Sequence, residues 1–393
     1  MNTMNFTKPE FLERLKKVKA GMAKKGIDVL LVTDPANMCY LTGHDAWSFY
    51  VHQIVVVSQD DETPRFIGRH MDAFAGVVKT TWLGKDHVHS YTDDHVQSLT
   101  KHPMDYMATL LNEWGYGNKT IGVEMDAYYF TAKAYQRLQQ GLPNAKLVDG
   151  DLIVNWVKII KSDAEVEMIR RAGKIADKAM AAGIEAFNPG VRQCDVASAI
   201  MAAQVAGTEE FGGDYTSIVP LMPCGETAGA PHLTWNDSRY PDNLTMYIEI
   251  AGCYQRYHCP MSRTASLGKP SDEVLNAAKI TIEGLNAALD VVKPGATCEE
   301  VEAAWRRTVA KYGVEKESRI GYSTGLNYPP DWGEHTASLR PGDKTVLQPN
   351  MVFHCIPGMY YDDYGISISQ CFRVTENGHE KMSSYPFDLI IKK

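Results

Sequence analysis

The sequence of 393 residues has no run of basic residues, and its 40 Lys and Arg against 48 Asp and Glu give a formal net charge of −8. That balance argues against nucleic acid as the main partner. Its longest apolar stretches, such as Val29-Leu30-Leu31-Val32 and Ile54-Val55-Val56-Val57, fall far short of the roughly 20 residues of a membrane span. Residues 1–7 lack the apolar core of a signal peptide. No two of the eight cysteines form a C-x-x-C pair, so they read as reduced thiols of a soluble, cytoplasmic protein. There is no P-loop, and no G-x-G-x-x-G follows a strand, so a nucleotide cofactor is not expected. The metal signatures H-E-x-x-H and H-x-x-E-H, the EF-hand loop and the hydrolase elbow G-x-S-x-G are missing too. What remains is an ordinary globular composition, 44% hydrophobic and 22% charged, long enough for two or three domains.

The first 158 residues alternate helical and strand patterns. Thr7-Lys8-Pro9-Glu10 has capping-box spacing, Phe11, Leu15, Val18 and Met22 follow at helical spacing, and Gly26 ends the run. Apolar runs at 28–33, 53–57, 65–68, 120–124 and 145–148 predict short strands, hence an α/β domain over 1–158. Near Lys158 the texture changes. Ser162-Asp163-Ala164-Glu165 is a second capping box, opening a long helix with Val166, Ile169, Ile175 and Ala179 on one face. The domain boundary is therefore placed at 158–162, with 159–393 as the second domain.

This second domain holds a weak repeat. Asn188-Pro189-Gly190-Val191-Arg192-Gln193-Cys194-Asp195-Val196 resembles Lys293-Pro294-Gly295-Ala296-Thr297-Cys298-Glu299-Glu300-Val301. Each copy ends one helix, starts another and precedes β-rich sequence. One reading is chance similarity at a Pro-Gly turn. The other is a duplicated unit, whose halves would enclose a cleft between two sheets. Strands are predicted at 244–251 and 254–267, with a hairpin turn at Gly252-Cys253, and at 351–357 and 365–374.

Residue chemistry alone leaves the site open. Cys253, His258 and Cys259 share the hairpin, but strand alternation puts His258 and Cys259 on opposite faces, against a common metal. Cys259 reads as a buried thiol rather than a nucleophile, and Arg263 as a structural ion-pair residue. Glu249 on a strand, His232 on a loop and the Glu334-His335 pair each have a bland reading: a salt-bridged carboxylate, a structural imidazole, a capped turn.

A resemblance sharpens these readings. Lys161-Ser162-Asp163-Ala164-Glu165, Ser262-Arg263-Thr264, Gly321-Tyr322-Ser323-Thr324-Gly325-Leu326, Gln348-Pro349-Asn350-Met351-Val352 and Phe372-Arg373-Val374-Thr375-Glu376-Asn377-Gly378 resemble the pita-bread family of creatinase and aminopeptidase P. The resemblance implies an α+β pita-bread catalytic domain preceded by a creatinase-like α/β N-terminal domain. Peptidases of that family hold two metal ions with two Asp, one His and two Glu. Carried over, those positions are Glu249, Pro260, Tyr322, Ile356 and Ser369, which implies a metal-free site with no cofactor. A pocket left with one carboxylate suits a monocation.

Within the family, segments 43–53, 252–260 and 328–336 are similar to the ectoine hydrolases, which open a cyclic amidine to an N-acetyl-2,4-diaminobutyrate. The resemblance implies Glu249 and His232 as the residues of the chemistry. It implies Asp45, Trp47, Phe49, Tyr50, Tyr257, His258, Tyr322, Trp332, Glu334 and His335 as substrate contacts, the aromatics bounding a small zwitterionic amidine. Arg256 and Arg340 are candidates for its carboxylate. It also implies a homodimer in which the N-terminal domain of one subunit closes the site of the other. A metal-dependent Xaa-Pro dipeptidase, a creatinase-type amidinohydrolase and an inactive binding protein remain as alternatives.

Overall fold

Residues 6–150 and 152–393 are described by the computed structural model of the chain, which divides into two units, Met1–Lys158 and Ile159–Lys393. In the first, α1 (Lys8–Lys24) buries Phe11, Leu15, Val18 and Met22 at helical spacing. Its N-cap Thr7 makes no side-chain bond, so the expected capping box is not formed; Glu10 pairs instead with Arg14 at 2.9 Å. Strands β1 (Val29–Val32), β2 (Ile54–Ser58), β3 (Arg65–Arg69), β4 (Val88–Tyr91), β5 (Thr120–Val123) and β6 (Lys146–Asp149) form one sheet in the order β4-β3-β2-β1-β5-β6. β1 runs parallel to β5 and antiparallel to β2, with α2 (Pro35–Thr42), α3 (Pro103–Glu113) and α4 (Ala132–Gly141) among the connections. β4 escapes sequence patterning because only its two end residues are buried.

In the second unit, α5 (Asp163–Ala186) begins at a true capping box, with Ser162 and Glu165 bonding each other's backbone. It packs on β7 (Leu244–Tyr254), which pairs with β8 (Tyr257–Leu267) in register from Leu244↔Leu267 to Tyr254↔Tyr257. The turn falls at Gln255-Arg256, both at positive φ (50° and 67°), not at the predicted Gly252-Cys253. Gly252 serves close approach instead: a Cβ there would lie 1.9 Å from the Ala172 carbonyl of α5.

A second sheet has the order β10 (Gly333–Leu339), β9 (Gly321–Thr324), β11 (Val352–Cys355), β14 (Gln370–Val374), β15 (His379–Lys381). Short strands β12 (Met359–Tyr360) and β13 (Gly365–Ile366) form a separate pair, and β16 (Ile390–Lys392) runs parallel to β8. The predicted strand 365–374 is therefore broken, because the backbone at 367–369 turns to bond β8. Ser369 N–H donates to the Ser262 carbonyl (3.1 Å), Ser262 N–H to Ser369 Oγ (2.7 Å) and Ser367 N–H to Thr264 Oγ1 (3.0 Å).

Both copies of the Pro-Gly repeat turn a helix pair, at Gly190 (φ 76°) between α5 and α6 (Gln193–Ala206) and at Gly295 (φ 89°) between α7 (Asp272–Asp290) and α8 (Cys298–Val309). Each pair covers one sheet with its own apolar core. No helix among the described residues is long and apolar enough to cross a membrane.

Gly252→Ala should destabilise the protein by about 3 kcal/mol, since backbone cannot yield as a side chain does. Gly76→Ala, which meets nothing within 4 Å, should shift it by less than about 0.5 kcal/mol. Urea unfolding midpoints compare the two, and equal shifts would remove the close-approach argument.

Candidate active site

Alternation along β7 decides which side chains reach the space between the sheets. Met246, Ile248 and Ile250 belong to the core under α5 and α6, so Tyr247 and Glu249 face the other way. Glu249 is fixed by its backbone: it exchanges hydrogen bonds with Leu221 (2.9 and 3.0 Å) and stands opposite Ser262. Its side chain is nearly enclosed, 7% of the residue being exposed, and no described residue donates a hydrogen bond to the carboxyl. Burial, with a smaller push from the charge of Asp331, raises it to about 8. It therefore holds a proton at neutral pH.

Asp331 is the opposite case. Burial pushes it up too, but the His335 ring (Nε2–Oδ2 2.8 Å) and the Gly333 N–H (2.9 Å to Oδ1) outweigh that and hold it below the usual carboxylate range. Two carboxyls within each other's field are thus driven apart, one protonated and one ionised, the arrangement in which acid and base roles separate. Gly333 makes room for this: a Cβ would lie 3.3 Å from Asp331 Oδ2 and 3.4 Å from the Tyr322 ring.

Tyr322 on β9 and His354 on β11 are register partners and share a face. Trp332 Nε1–H donates to Tyr322 Oη at 2.8 Å, Tyr322 Oη lies 3.1 Å from His354 Nδ1, and His354 Nε2 lies 2.8 Å from Ser369 Oγ. Burial and then the Glu249 charge raise the Tyr322 phenol well above its ordinary value, and the same two causes raise Tyr360. Burial, Tyr360 and Glu249 raise Tyr247 likewise, so three phenols surround one carboxyl.

Several expected contacts have other work. Tyr257 donates its hydroxyl to Glu165 at 2.8 Å, completing the start of α5. His258 is fully buried, its Nε2 accepting from the Ser217 N–H at 3.0 Å; burial, then Arg256, pushes it down to about 3. Glu334 is paired with Lys161 at 2.7 Å, both side chains sealed from solvent, and Gly325 is small because a Cβ would lie 2.7 Å from that carboxylate. His335 acts on Asp331, and Trp332 on Tyr322.

His232 is exposed, on a loop whose Leu233 carbonyl accepts from Met222 N–H (3.0 Å), one residue along from the Leu221–Glu249 rung. In the first unit, His44, Ser48 and Gln53 form a buried polar chain. Beside it Trp47 and Tyr50 are 56% and 64% exposed, Asp45 and Phe49 partly so. Asp331, Tyr247, Tyr360 and His354 lie around Glu249 and Tyr322, and sequence reasoning singled out none of them. The tyrosine at Tyr247, two residues before Glu249 on one strand, was the available signal.

The residues do not fit the two-metal cage of the peptidases. Pro260 sits in the β7–β8 ladder opposite Ala251, and Ser369 is consumed by Ser262 and His354. Ile356 has no donor atom, and among the described residues no three His, Cys, Asp or Glu gather as a metal-binding group.

Comparison with known proteins agrees with this architecture. Residues 14–160 match the creatinase/prolidase N-terminal domain, and residues 167–376 match metallopeptidase family M24. The chain is 44% identical to the ectoine hydrolase of Halomonas elongata over 99% of each chain. It is 27% identical to the creatinase of a Bacillus species, over 97% of this chain and 92% of that one. Among solved structures, a prolidase from Thermococcus sibiricus superposes with a TM-score of 0.84 at 21% identity, over 97% of this chain and 99% of that one. With both of its units matched in order, the chain belongs to metallopeptidase family M24, in the group that carries the creatinase/prolidase N-terminal domain.

Proposed function

We propose that the protein hydrolyses ectoine without a metal ion, opening the cyclic amidine to an N-acetyl-2,4-diaminobutyrate. The observation that carries this reading is the pair Glu249 and Asp331, the first raised at a metal-ligand position of the family and the second, within its field, held low, joined to full-length likeness to an ectoine hydrolase. Such a pocket holds one net negative charge and accepts one amidinium. Asp331, already ionised, takes the cation; its positive charge then favours ionised Glu249, which attacks the amidine carbon or draws a proton from water. His232, at the rim, supplies the proton for the departing nitrogen. The carboxylate of the substrate falls to Arg319 rather than Arg256. Arg256 is buried, donates to the Tyr215 carbonyl at 3.1 Å and lies 3.4 Å from the Asp214 carboxylate. Arg319 is exposed, makes no ion pair with a described residue, and stands 4.5 Å from the Tyr322 ring centroid with Nη1 on Ser338 Oγ at 3.0 Å.

The exposed Trp47 and Tyr50 support a homodimer in which this edge of one subunit covers the cleft of the other. Eight cysteines without a C-x-x-C pair support a cytoplasmic location, which fractionation of producing cells checks.

Protein dialysed against a chelator should convert ectoine to the ring-opened acetylated product, followed by NMR. Glu249→Gln should lower kcat at least about 10³-fold. Two tightly bound ions and chelator-sensitive peptidase activity would sink the reading. Because Glu249 must ionise, kcat/KM should rise with pH to a midpoint near 8, and the kcat limb should lie lower because the bound cation favours the anion. The same shift has a sign in stability. Proton retention favours the fold at low pH, and that advantage is lost between about pH 4.5 and 8. Glu249→Gln should therefore match the parent near pH 5 and exceed it by roughly 2–4 kcal/mol above pH 8.

Arg319→Gln should raise KM for ectoine about 10- to 100-fold and leave KM for 2-methyl-tetrahydropyrimidine, which lacks the carboxylate, within about 2-fold. An equal rise for both would remove Arg319 from carboxylate binding.

Mixed dimers test the shared site. Glu249→Gln and the double variant Trp47→Ala, Tyr50→Ala, each nearly inactive alone, should recover about a quarter of parental activity when co-refolded at equal amounts. No recovery from dimers shown to be mixed would overturn the shared arrangement.

A further inference from the structure

The hydrogen positions along Trp332, Tyr322, His354 and Ser369 follow from which groups can only donate. Trp332 Nε1–H can only donate, so Tyr322 Oη accepts it at 2.8 Å. Ser262 N–H can only donate, so Ser369 Oγ accepts it at 2.7 Å. Between these ends lies His354, fully buried and kept neutral because burial, then Arg263 and Arg319, push its ring down to about 3. A neutral imidazole has one N–H, so two orders are available. In the first, Tyr322 O–H donates to Nδ1 and Nε2–H donates to Ser369 Oγ. The hydroxyl hydrogen of Ser369, wholly buried, then has no acceptor among the described residues. In the second, Ser369 O–H donates to Nε2 and Nδ1–H donates to Tyr322 Oη. Every buried hydrogen is then used, and the one left over is the phenolic hydrogen of Tyr322.

Resting on the ring-opening reading above, we infer that Tyr322 is a fixed hydrogen-bond donor to the oxygen delivered to the amidine carbon, with His354 and Ser369 as the positioning residues that turn its hydrogen into the Glu249 cleft. Two acceptances at Tyr322 Oη leave only the outward direction for that hydrogen. The phenol is partly exposed, on the cleft face of β9, within the field of Glu249. Hydrolysis adds the oxygen of water to the amidine carbon, breaks one ring C–N bond and leaves the electron pair on the departing nitrogen, which takes a proton. The added oxygen becomes the amide carbonyl: once the carbon is tetrahedral its hydroxyl gives up its proton, and the negative charge then held on that oxygen forms the C=O bond and drives out the nitrogen. A donor already aimed at that oxygen stabilises the change without reorganising, and Tyr322 itself gives up no proton.

The tautomer is measurable without substrate. In protein labelled with ¹⁵N-histidine, with the His354 signals assigned by their loss in His354→Gln, the ring should carry its hydrogen on Nδ1. A hydrogen on Nε2 overturns the inference. Should His354→Gln fail to fold, the signals that shift in Ser369→Ala make the assignment. With ectoine, Tyr322→Phe should lower kcat about 10²-fold with KM within about 3-fold, as for a lost donor to a developing oxyanion. Ser369→Ala should lower kcat about 10-fold, with Ser369→Thr restoring at least half of it because it keeps the hydroxyl. An unchanged kcat in Tyr322→Phe overturns the donor role. Absence of any ectoine turnover by the parent would instead overturn the substrate reading, and the tautomer measurement would stand apart from it.

Discussion

The seam between the two sheets depends on Arg263. It lies on β8 with no exposed surface and donates to four carbonyls: Pro386 (2.5 Å), Ser262 (2.8 Å), Ser369 (2.6 Å) and Tyr385 (2.6 Å). It makes no ion pair among the described residues, contrary to its reading from sequence; burial lowers it to about 10, still charged at neutral pH. A cation satisfied by carbonyls clamps backbone to backbone, and the carbonyls it holds belong to β8, to the break between β13 and β14, and to the last turn before β16. Losing it would orphan buried acceptors at all three. Ser262, whose carbonyl it holds, lies directly across from Glu249, so the clamp fixes the strand that faces the carboxyl.

Burial explains the electrostatics around Glu249. Two charged pairs near it are closed, Glu334 with Lys161 and Arg256 with Asp214, while Asp331 is held ionised by hydrogen bonds from His335 and the Gly333 N–H. Glu249 has no such partner, and its alternatives in so dry a place are to hold a proton or to meet a cation from outside. An amidinium would supply the second. On the proposed mechanism the ionisation of Glu249 is thereby coupled to the arrival of substrate, and the surrounding phenols, all raised in the same field, stay protonated and able to donate.

What was legible in the sequence follows physical range. The capping box at Ser162, the helix run from Phe11 to Met22 and the Pro-Gly repeat are local, and local patterns suffice to find them. The α+β pita-bread class followed from motif resemblance, and both family matches agree with it. The hairpin was found, but its turn was misplaced because Gly252 looks like a turn residue while serving contact with α5, 80 residues earlier in sequence (252 − 172). The strand at 365–374 was overextended for a similar reason: its break is set by bonds to β8, more than 100 positions away. Glu249 could be proposed from its motif, whereas Asp331 could not, since its low proton affinity comes from a ring four residues on, brought round by the turn that places His335 at φ 58°. Glu334, Tyr257 and His258 have the chemistry of ligands, and only packing reveals that Lys161, Glu165 and Ser217 already engage them.

The misfit to a two-metal cage is structural as well as chemical. Where the resemblance puts metal ligands, Tyr322 and Ser369 now bracket His354, and Ser369 also caps the Ser262 N–H beside the Arg263 clamp. A carboxylate at Ser369 could only accept, so it would take the hydroxyl donor away from His354 and crowd the seam held by Ser262 and Arg263. Pro260 would still offer no donor, and Ile356 none. A two-metal cage here would therefore need several simultaneous changes. Two of its positions, Tyr322 and Ser369, instead belong to an ordered chain of hydrogen bonds that has His354 at its centre and Tyr322 at its open end.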